Sequence, residues 1–368
     1  YVDKKAVNYS LPSGSDMFSF LGNMVPGMSG VKAGRMVMGA RMITQALPLN
    51  NPEIPLVQSG MPNDPTKSFE ELATKYSGNV EAKDTGRVVG ISPDAIDVVY
   101  ANGKKDSIEL YNNFPFNQKS FIHNTPMLKI GDAFKKGDLL ARSNYTDKTG
   151  KAVSLGTNLR VAYLPYKGNY EDAITISESA AKKLSSEHMY LTKVPHSEGT
   201  VTGKKEFISN FPGQFSKAQL DNMDDAGIVK PGTILHEGDP IVIGVRQKEP
   251  TKGNALLRQA RSWNMPHIEV WDHAAPGIVT DAMTSTDGIK VAIKAYQPMN
   301  VADKMADRFG SKGLVGRIVP DDQMPKGQNG EPFEVIFNPL SIISRVNPTK
   351  LVETLLAKVA RKTGQPYK

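Results

Sequence analysis

Residues 303–313 read DKMADRFGSKG, a short stretch that combines cations and acids with two glycines. Gly310 and Gly313 bracket Lys312, so the backbone there is free to take a positive φ or to let a bulky partner approach closely. Lysine carries a compact charge on a long stem, which suits phosphate oxygens. Lys304 and Lys312 are eight residues apart, so they would share a face of one extended strand. The glycines favour a strand followed by a turn.

The residues of this stretch leave two interpretations open. A basic surface loop is the plainer one, because runs of charge are usually solvated. The other is a cradle of backbone and lysine groups for the phosphates of a nucleotide or a nucleic acid. The stretch is not a P-loop, because it lacks the spacing of glycine, four residues, glycine, lysine and then serine or threonine.

The composition limits the function only broadly. The 368 residues are enough for two or three compact units. An excess of 45 Lys and Arg over 38 Asp and Glu favours an anionic partner without requiring one. The absence of cysteine excludes disulfides and cysteine-ligated metals, and the six histidines lack a metal-ligand spacing. No apolar run approaches the ~18 residues of a membrane span, and the first residues lack the apolar core of a signal peptide.

The pattern along the chain predicts many strands and a few short helices, in keeping with its 32 glycines and 25 prolines. Met36, Ala40, Ile43 and Leu47 recur at helical spacing, and Pro48 should end that helix. A C-terminal helix is predicted within 349–368. Strands are predicted at 87–91, 96–100, 107–111 and 289–296.

Two segments share one local pattern. Residues 131–140 and 232–241 both read as glycine, five residues, Gly-Asp and then an apolar strand. Gly-Asp supplies a tight turn that leads into a strand. The repeat therefore predicts the same hairpin twice and, by itself, indicates β architecture rather than a function.

A pair of acids precedes another predicted strand. Glu171 and Asp172 are neighbours, so on a strand their carboxylates would point to opposite faces and could line one cleft only if the backbone bends. A solvated hairpin is one interpretation. The other is that one carboxylate helps, through water, to hold a magnesium ion on a triphosphate, since magnesium prefers oxygen ligands and keeps several waters. The sequence lacks an Asp-x-Asp-x-Asp cluster, so the chain alone would not build a two-metal centre.

Several ordered motifs resemble the β subunit of multisubunit, DNA-dependent RNA polymerases. Residues 303–313 resemble the family's GDKMAGRHGNKG. The further matches are residues 34–48 with NRALMGANMQRQAVP, 165–178 with the signature that ends in EDAILISE, 344–347 with SRMN, and 353–356 with ETHL. Motifs in the same order at similar separations are more specific than any one of them alone.

The resemblance implies a mixed, β-rich α+β fold with a double-psi β-barrel core, a flap-like sandwich or barrel insertion and short helices. Residues 255–258 and 276–279 match the two ends of the flap. The implied segments are a fork and hybrid-binding entry at 1–85, hybrid-binding strands with the first part of the barrel at 86–178, a shortened flap at 179–285, the second part of the barrel with the active-site lysines at 286–345, and the start of a clamp-connecting helix at 346–368.

The resemblance also implies roles for the basic residues of the opening stretch. Lys304 and Lys312 would act in catalysis by contacting the RNA 3′ end and the nucleotide phosphates. Arg308 would join them in binding nucleic acid. Phe309 stands where the family has histidine, and Asp307 where it has glycine. Asp307 would weaken the local positive field.

Two further arginines and the acid pair complete the implied site. Arg35 and Arg345 would grip the triphosphate of the incoming nucleotide. Glu171 or Asp172 would approach a second magnesium ion indirectly, while a β′-like partner would supply the aspartates that mainly hold Mg²⁺. Arg41 stands where the family has asparagine.

The implied assembly contains a β′-like subunit, an N-terminal β-like subunit and other RNA polymerase subunits, together with template DNA, the RNA transcript and nucleoside triphosphates, and no membrane. The expected origin is the C-terminal portion of a split β subunit from a large bacteriophage, working in the cytoplasm of a bacterial host, with packaging in the virion left open. A non-enzymatic β-barrel module that binds RNA or DNA is the alternative. A single-chain, RNA-templated polymerase would need the missing aspartate cluster.

Overall fold

A computed structural model describes residues 3–11, 13–116, 119–196, 200–247 and 264–368. These residues form many short strands and a smaller number of mostly short helices, which confirms the predicted β-rich α+β class. The helices are α1 (Phe20–Asn23), α2 (Ala33–Thr44), α3 (Phe69–Leu72), α4 (Glu178–Lys183), α5 (Lys204–Asn210), α6 (Lys217–Asp221), α7 (Leu340–Ile343) and α8 (Thr349–Thr363). The strands are β1 (Gly60–Met61), β2 (Asp64–Ser68), β3 (Val80–Glu81), β4 (Gly86–Ile91), β5 (Ala95–Tyr100), β6 (Lys105–Glu109), β7 (Phe114–Pro115), β8 (Phe121–Ile122), β9 (Asn124–Pro126), β10 (Ala133–Phe134), β11 (Leu139–Ser143), β12 (Val161–Tyr163), β13 (Ala173–Ser177), β14 (Ser186–Val194), β15 (Thr200–Thr202), β16 (Ile234–Leu235), β17 (Pro240–Gln247), β18 (Asn264–Val270), β19 (Gly277–Ser285), β20 (Gly288–Gln297), β21 (Lys304–Ala306), β22 (Lys312–Val319) and β23 (Val335–Phe337).

The chain divides into two compact units. The first comprises Tyr1–Asn112, Ile122–Ser186 and Pro298–Lys368, and the second comprises Asn113–Phe121 and Glu187–Gln297. Each unit has its own apolar core. The five segments expected from the resemblance were defined by motif boundaries, whereas the two units are defined by their packing. The five segments stay a prediction.

The first unit contains a mixed sheet with the strand order β12–β23–β13–β22–β21. Strand β13 runs parallel to β22 and antiparallel to β23, whereas β21 and β22 form an antiparallel pair. Ile174 and Ile176 of β13 pack with Val315 of β22 and Val335 of β23, and Ala180 of α4 closes this core. The apolar face of the sheet thus fixes the positions of β13 and β22, on which the acid pair and Lys312 depend. Closure of these strands into a double-psi barrel stays a prediction.

A second sheet of the first unit has the order β10–β4–β5–β6. It confirms the strands predicted at 87–91 and 96–100, and the third strand starts two residues earlier than predicted, at Lys105. The reason is the tightness of the intervening turn: Gly103 has a φ of 81° and its N–H donates to the Tyr100 carbonyl at 2.9 Å. Pairing between β5 and β6 therefore resumes directly after that turn.

The second unit contains two sheets, β14–β20–β19–β16 and β15–β17–β18. Val291 and Ile293 of β20 share one core with Ile241 and Val242 of β17 and with Trp271. The predicted strand at 289–296 is confirmed as part of β20. The predicted flap motif at 255–258 lies outside the described residues.

The repeated Gly-Asp turn is present with one copy in each unit, but the predicted hairpin is wrong, because the strands on either side of each turn belong to different sheets. Strand β10 pairs with β4 whereas β11 pairs with β3 and β9, and β16 pairs with β19 whereas β17 pairs with β15 and β18. Gly137 and Gly238 take φ values of 87° and 88°, which favour glycine. Asp138 and Asp239 each accept a hydrogen bond of 2.7 Å from the backbone N–H three residues earlier. The shared Gly-Asp pattern therefore encodes the same turn geometry at both places.

Both predicted helices are present. Helix α2 ends at Thr44, earlier than Pro48, because the last turn tightens and the Gln45 N–H donates to the Met42 carbonyl at 3.2 Å. Helix α8 ends at Thr363 and is capped by Gly364, whose φ of 71° is in the left-handed region. In the described part of the chain, no helix is both long enough and apolar enough to span a bilayer.

Candidate functional site

The two lysines of the opening stretch lie on one hairpin. Strands β21 and β22 place Lys304 opposite Leu314 and Ala306 opposite Lys312. Residues directly opposite each other in an antiparallel pair share a face, as do residues two apart on one strand. Lys304 and Lys312 therefore project from the same face, and both are exposed, while Met305 packs against the core. The predicted strand followed by a turn is confirmed.

Asp307 organises the turn between these strands. Its Oδ1 accepts hydrogen bonds from the N–H of Phe309 at 3.0 Å and of Ser311 at 2.9 Å. The Asp307 N–H also donates to the Ser311 carbonyl at 2.9 Å. The sequence pattern indicated only that this acid weakens the positive field, whereas the structure shows that it holds the turn that precedes Lys312.

The two glycines allow neighbouring segments to approach this turn. Gly310 has a φ of 74°, and a Cβ there would lie 2.6 Å from the Arg35 carbonyl oxygen. A Cβ on Gly313 would lie 2.1 Å from the Asp172 carbonyl oxygen. Both distances are too short for a side chain, so helix α2 and the start of β13 pack directly on the backbone of the hairpin. This packing brings Arg35 and Asp172 close to Lys312.

A hollow of about 450 Å³ opens where these segments meet. Its lining residues are Arg35, Met38, Arg41, Met42, Gln45, Asp172, Gly310, Lys312 and Arg345. Three residues that were expected to contact nucleotide phosphates, Arg35, Lys312 and Arg345, thus come together from segments far apart in the sequence. Lys304 is outside this lining, although it shares the hairpin face of Lys312. Arg35 is held in place because its Nη1 donates to the Gly310 carbonyl at 3.0 Å.

The acid pair lies in a bend rather than on a strand. Strand β13 begins at Ala173, and Glu171 has a φ of 52°. Glu171 and Asp172 consequently line the same cavity, next to Lys312. The geometry of a regular strand, which would have separated the two carboxylates, does not apply here. Asp172 also lines the larger hollow, where its Oδ1 accepts a hydrogen bond from Arg345 Nη2 in an ion pair.

Sequence reasoning missed Lys350, a buried cation beside this cavity. Its Nζ lies 2.7 Å from Asp307 Oδ2 and 3.9 Å from the centroid of the Phe337 ring. Lys350 is in the first turn of α8, where a cation opposes the helix dipole. A lysine at the start of a predicted helix is unusual, and this was the feature of the sequence that could have drawn attention to Lys350. The ion pair and the aromatic ring compensate the charge and tie the Asp307 turn to helix α8.

This pairing can be tested through stability. We expect Asp307→Asn to lower the free energy of unfolding by about 1.5–3 kcal/mol, because it leaves the buried Lys350 ammonium without its charged partner. The cycle completed by Lys350→Met should show a coupling of roughly 0.5–3 kcal/mol, measured by urea unfolding followed by circular dichroism. Strictly additive effects of the two substitutions would show that the pair does not hold the turn.

Arg308 makes contacts within the chain. Its guanidinium donates to Glu70 Oε1 at 3.2 Å and to the Val57 carbonyl at 2.8 Å, and it also pairs with Glu353. Burial raises the pKa of Glu70, and the Arg308 guanidinium opposes that rise. These contacts give Arg308 a structural role that joins three segments of the first unit. A nucleic-acid contact by Arg308 stays a prediction.

The oxygen ligands near the hollow fit an indirect magnesium contact. Within the described residues, no group of three or more His, Asp or Glu side chains is arranged to hold a metal ion. Glu171 and Asp172 offer carboxylate oxygens of the kind that magnesium prefers. Asp172 already forms an ion pair with Arg345. Glu171 and Asp172 therefore suit a contact with magnesium through water better than direct coordination of the ion.

The fold and the hollow together describe a β-rich protein with a preformed cationic site. The family profile of RNA polymerase Rpb2, domain 6, matches residues 86–368. The chain therefore belongs to that family, in agreement with the resemblance noted from its motifs.

Similar proteins extend the match over the rest of the chain. The DNA-directed RNA polymerase subunit beta of Clostridioides difficile is 32% identical over 99% of this chain, and that of Thermus aquaticus is 30% identical over 100% of it. The alignments cover 30% and 34% of those relatives. The chain thus spans about a third of the length of the relatives it matches.

Proposed function

We propose that this chain supplies the cationic half of the catalytic centre of a DNA-directed RNA polymerase, a nucleotidyltransferase that works as a multisubunit complex. The observation that carries the proposal is the convergence of Arg35, Lys312 and Arg345 on one hollow. Family membership and the names of the relatives support the polymerase assignment. Because the chain spans only part of those relatives, its activity, substrates and partners belong to the proposal.

Nucleotidyl transfer depends on charge neutralisation and alignment more than on covalent chemistry by the protein. In this proposal, Arg35 and Arg345 hold the triphosphate of the incoming nucleotide. Lys312 neutralises the charge that develops on the phosphate under attack, and Lys304 holds the RNA 3′ end. The hydrogen bond from Arg35 to Gly310 supports this assignment, because it fixes the guanidinium before any ligand binds.

Magnesium enters this proposal at the acid pair. When bound, the ion would supply positive charge to the transferring and leaving phosphate oxygens. Glu171 or Asp172 would hold it through water, while Arg345, the ion-pair partner of Asp172, would hold the triphosphate. The aspartates that hold the metal directly are proposed to lie on a β′-like partner.

The finer architecture belongs to the same proposal. The mixed sheet around β13 and β22 supports a double-psi barrel, since it combines parallel and antiparallel pairs around one core. An N-terminal β-like subunit, other polymerase subunits, template DNA and the RNA transcript complete the proposed assembly. A divided β subunit, a bacteriophage origin and a bacterial host cytoplasm stay predictions from the sequence.

The triphosphate assignment has a direct kinetic test. We expect Arg345→Gln in the assembled polymerase to raise the KM for nucleoside triphosphates by about tenfold or more, because one charge-assisted contact is lost. The matched control is Arg361→Gln, which removes the same charge from an exposed position in the last turn of α8, outside the lining of the hollow. A KM that is the same in both variants would contradict the assignment.

A further inference from the structure

Helix α2 presents a second arginine to the hollow. Arg35, Met38, Met42 and Gln45 line it at helical spacing, and Arg41 lies on the same side of the helix. Arg41 stands six residues after Arg35, which corresponds to about 9 Å along the helix axis. The two guanidiniums therefore start from points separated by more than one helical turn.

The charges around the hollow are unbalanced. Among the described residues of its lining, the acidic one is Asp172, and Arg345 already pairs with it. Arg35, Arg41 and Lys312 have no acidic partner among the described residues. The hollow thus holds three positive charges that the described part of the chain does not neutralise, and an anionic ligand would do so.

Arg41 differs from its neighbour Arg35 in one respect. The Arg35 guanidinium is tied to the Gly310 carbonyl, whereas the Arg41 guanidinium makes no hydrogen bond or ion pair with any described residue. Its five N–H donors are free to meet an oxyanion, and the planar group matches the geometry of a phosphate. This charge is also particular to the chain, because the resembling motif has asparagine there.

We propose that Arg41 binds a second phosphate group of a ligand whose first phosphate is held by Arg35. The inference rests on the proposed function, because it places a phosphate chain along the same helix. Two sources share this chemistry: the tail of the incoming nucleoside triphosphate and the backbone of the nascent RNA. In either case Arg41 extends the phosphate contacts of the hollow beyond those of Arg35, Lys312 and Arg345.

The test uses the assembled polymerase with Arg41→Gln, since glutamine keeps a high helix propensity and removes the charge. Two quantities are measured: the KM for MgATP at fixed RNA–DNA scaffold, and the salt dependence of scaffold dissociation. A KM raised about tenfold or more with an unchanged salt slope supports the proposal with the triphosphate as source. A salt slope lowered by about one, with an unchanged KM, supports it with the RNA backbone as source.

Two comparison variants complete the design. Arg41→Lys keeps the charge and should recover part of whichever quantity changes, a recovery that a purely structural role for the side chain would not give. If Arg41→Gln leaves both quantities at the level of the Arg361→Gln control while Arg35→Gln impairs the enzyme, this inference is wrong and the proposed function stands. If Arg35→Gln is also without effect, the proposed function fails as well.

Discussion

Replacing Lys312 with alanine should lower the rate of nucleotide addition by the assembled polymerase about 100- to 1000-fold. The side chain projects from the exposed face of the β21–β22 hairpin into the hollow shared with Arg35 and Arg345. It makes no hydrogen bond or ion pair with any described residue, so its removal should cost little stability. The loss should therefore fall on kcat, measured by single-nucleotide extension of an RNA primer.

The matched control for this prediction is Lys362→Ala. Lys362 is also an exposed lysine of the first unit, and it lies in the last turn of α8, outside the lining of the hollow. We expect this variant to extend RNA at the normal rate. Equal activity of the two variants would remove Lys312 from the catalytic centre.

The second large effect is expected from Gly313→Ala. A Cβ at this position would lie 2.1 Å from the Asp172 carbonyl oxygen, a distance that the backbone of β13 and β22 cannot keep. The hairpin must move away from β13, which displaces Lys312 from Arg345 and Asp172. We expect the free energy of unfolding to fall by roughly 1–3 kcal/mol and RNA extension to be largely lost.

Gly156→Ala is the comparison for that substitution. A Cβ on Gly156 meets no atom within 4 Å, so the same added methyl group finds open space. Stability and extension should both stay close to those of the unsubstituted protein. If Gly313→Ala behaves like Gly156→Ala in the extension assay, close packing of β22 on Asp172 is not needed to place Lys312.

The backbone conformation of the turns could be predicted from the sequence because it depends on the type of single residues. The glycines around Lys312 indicated a positive φ or a close approach, and the structure has the first at Gly310 and the second at Gly313. The Gly-Asp repeat predicted two turns of the same geometry for a similar reason. In each case, a residue type with few conformational options determined the backbone.

Long-range pairings could not be predicted in this way. Arg308 pairs with Glu70, 238 residues away in the sequence, and the spacing of charges along the chain contains no signal for that contact. The same holds for the ion pair between Asp307 and Lys350. From the sequence, Asp307 was expected only to weaken the local positive field, whereas in the structure its ion pair with Lys350 supports the turn. The motif resemblance indicated which residues meet at the hollow, and the packing of α2 and β13 on the hairpin shows how they meet.

Affinity labelling of the elongation complex tests the central claim most directly. An RNA whose 3′-terminal ribose is oxidised to a dialdehyde forms an imine with a nearby lysine, and borohydride reduction fixes the link for mass analysis. The account predicts that the label falls on Lys312 or Lys304, which share one face of the hairpin beside the hollow. Labelling of this chain confined to lysines outside the hairpin and the hollow, such as Lys362, would contradict it.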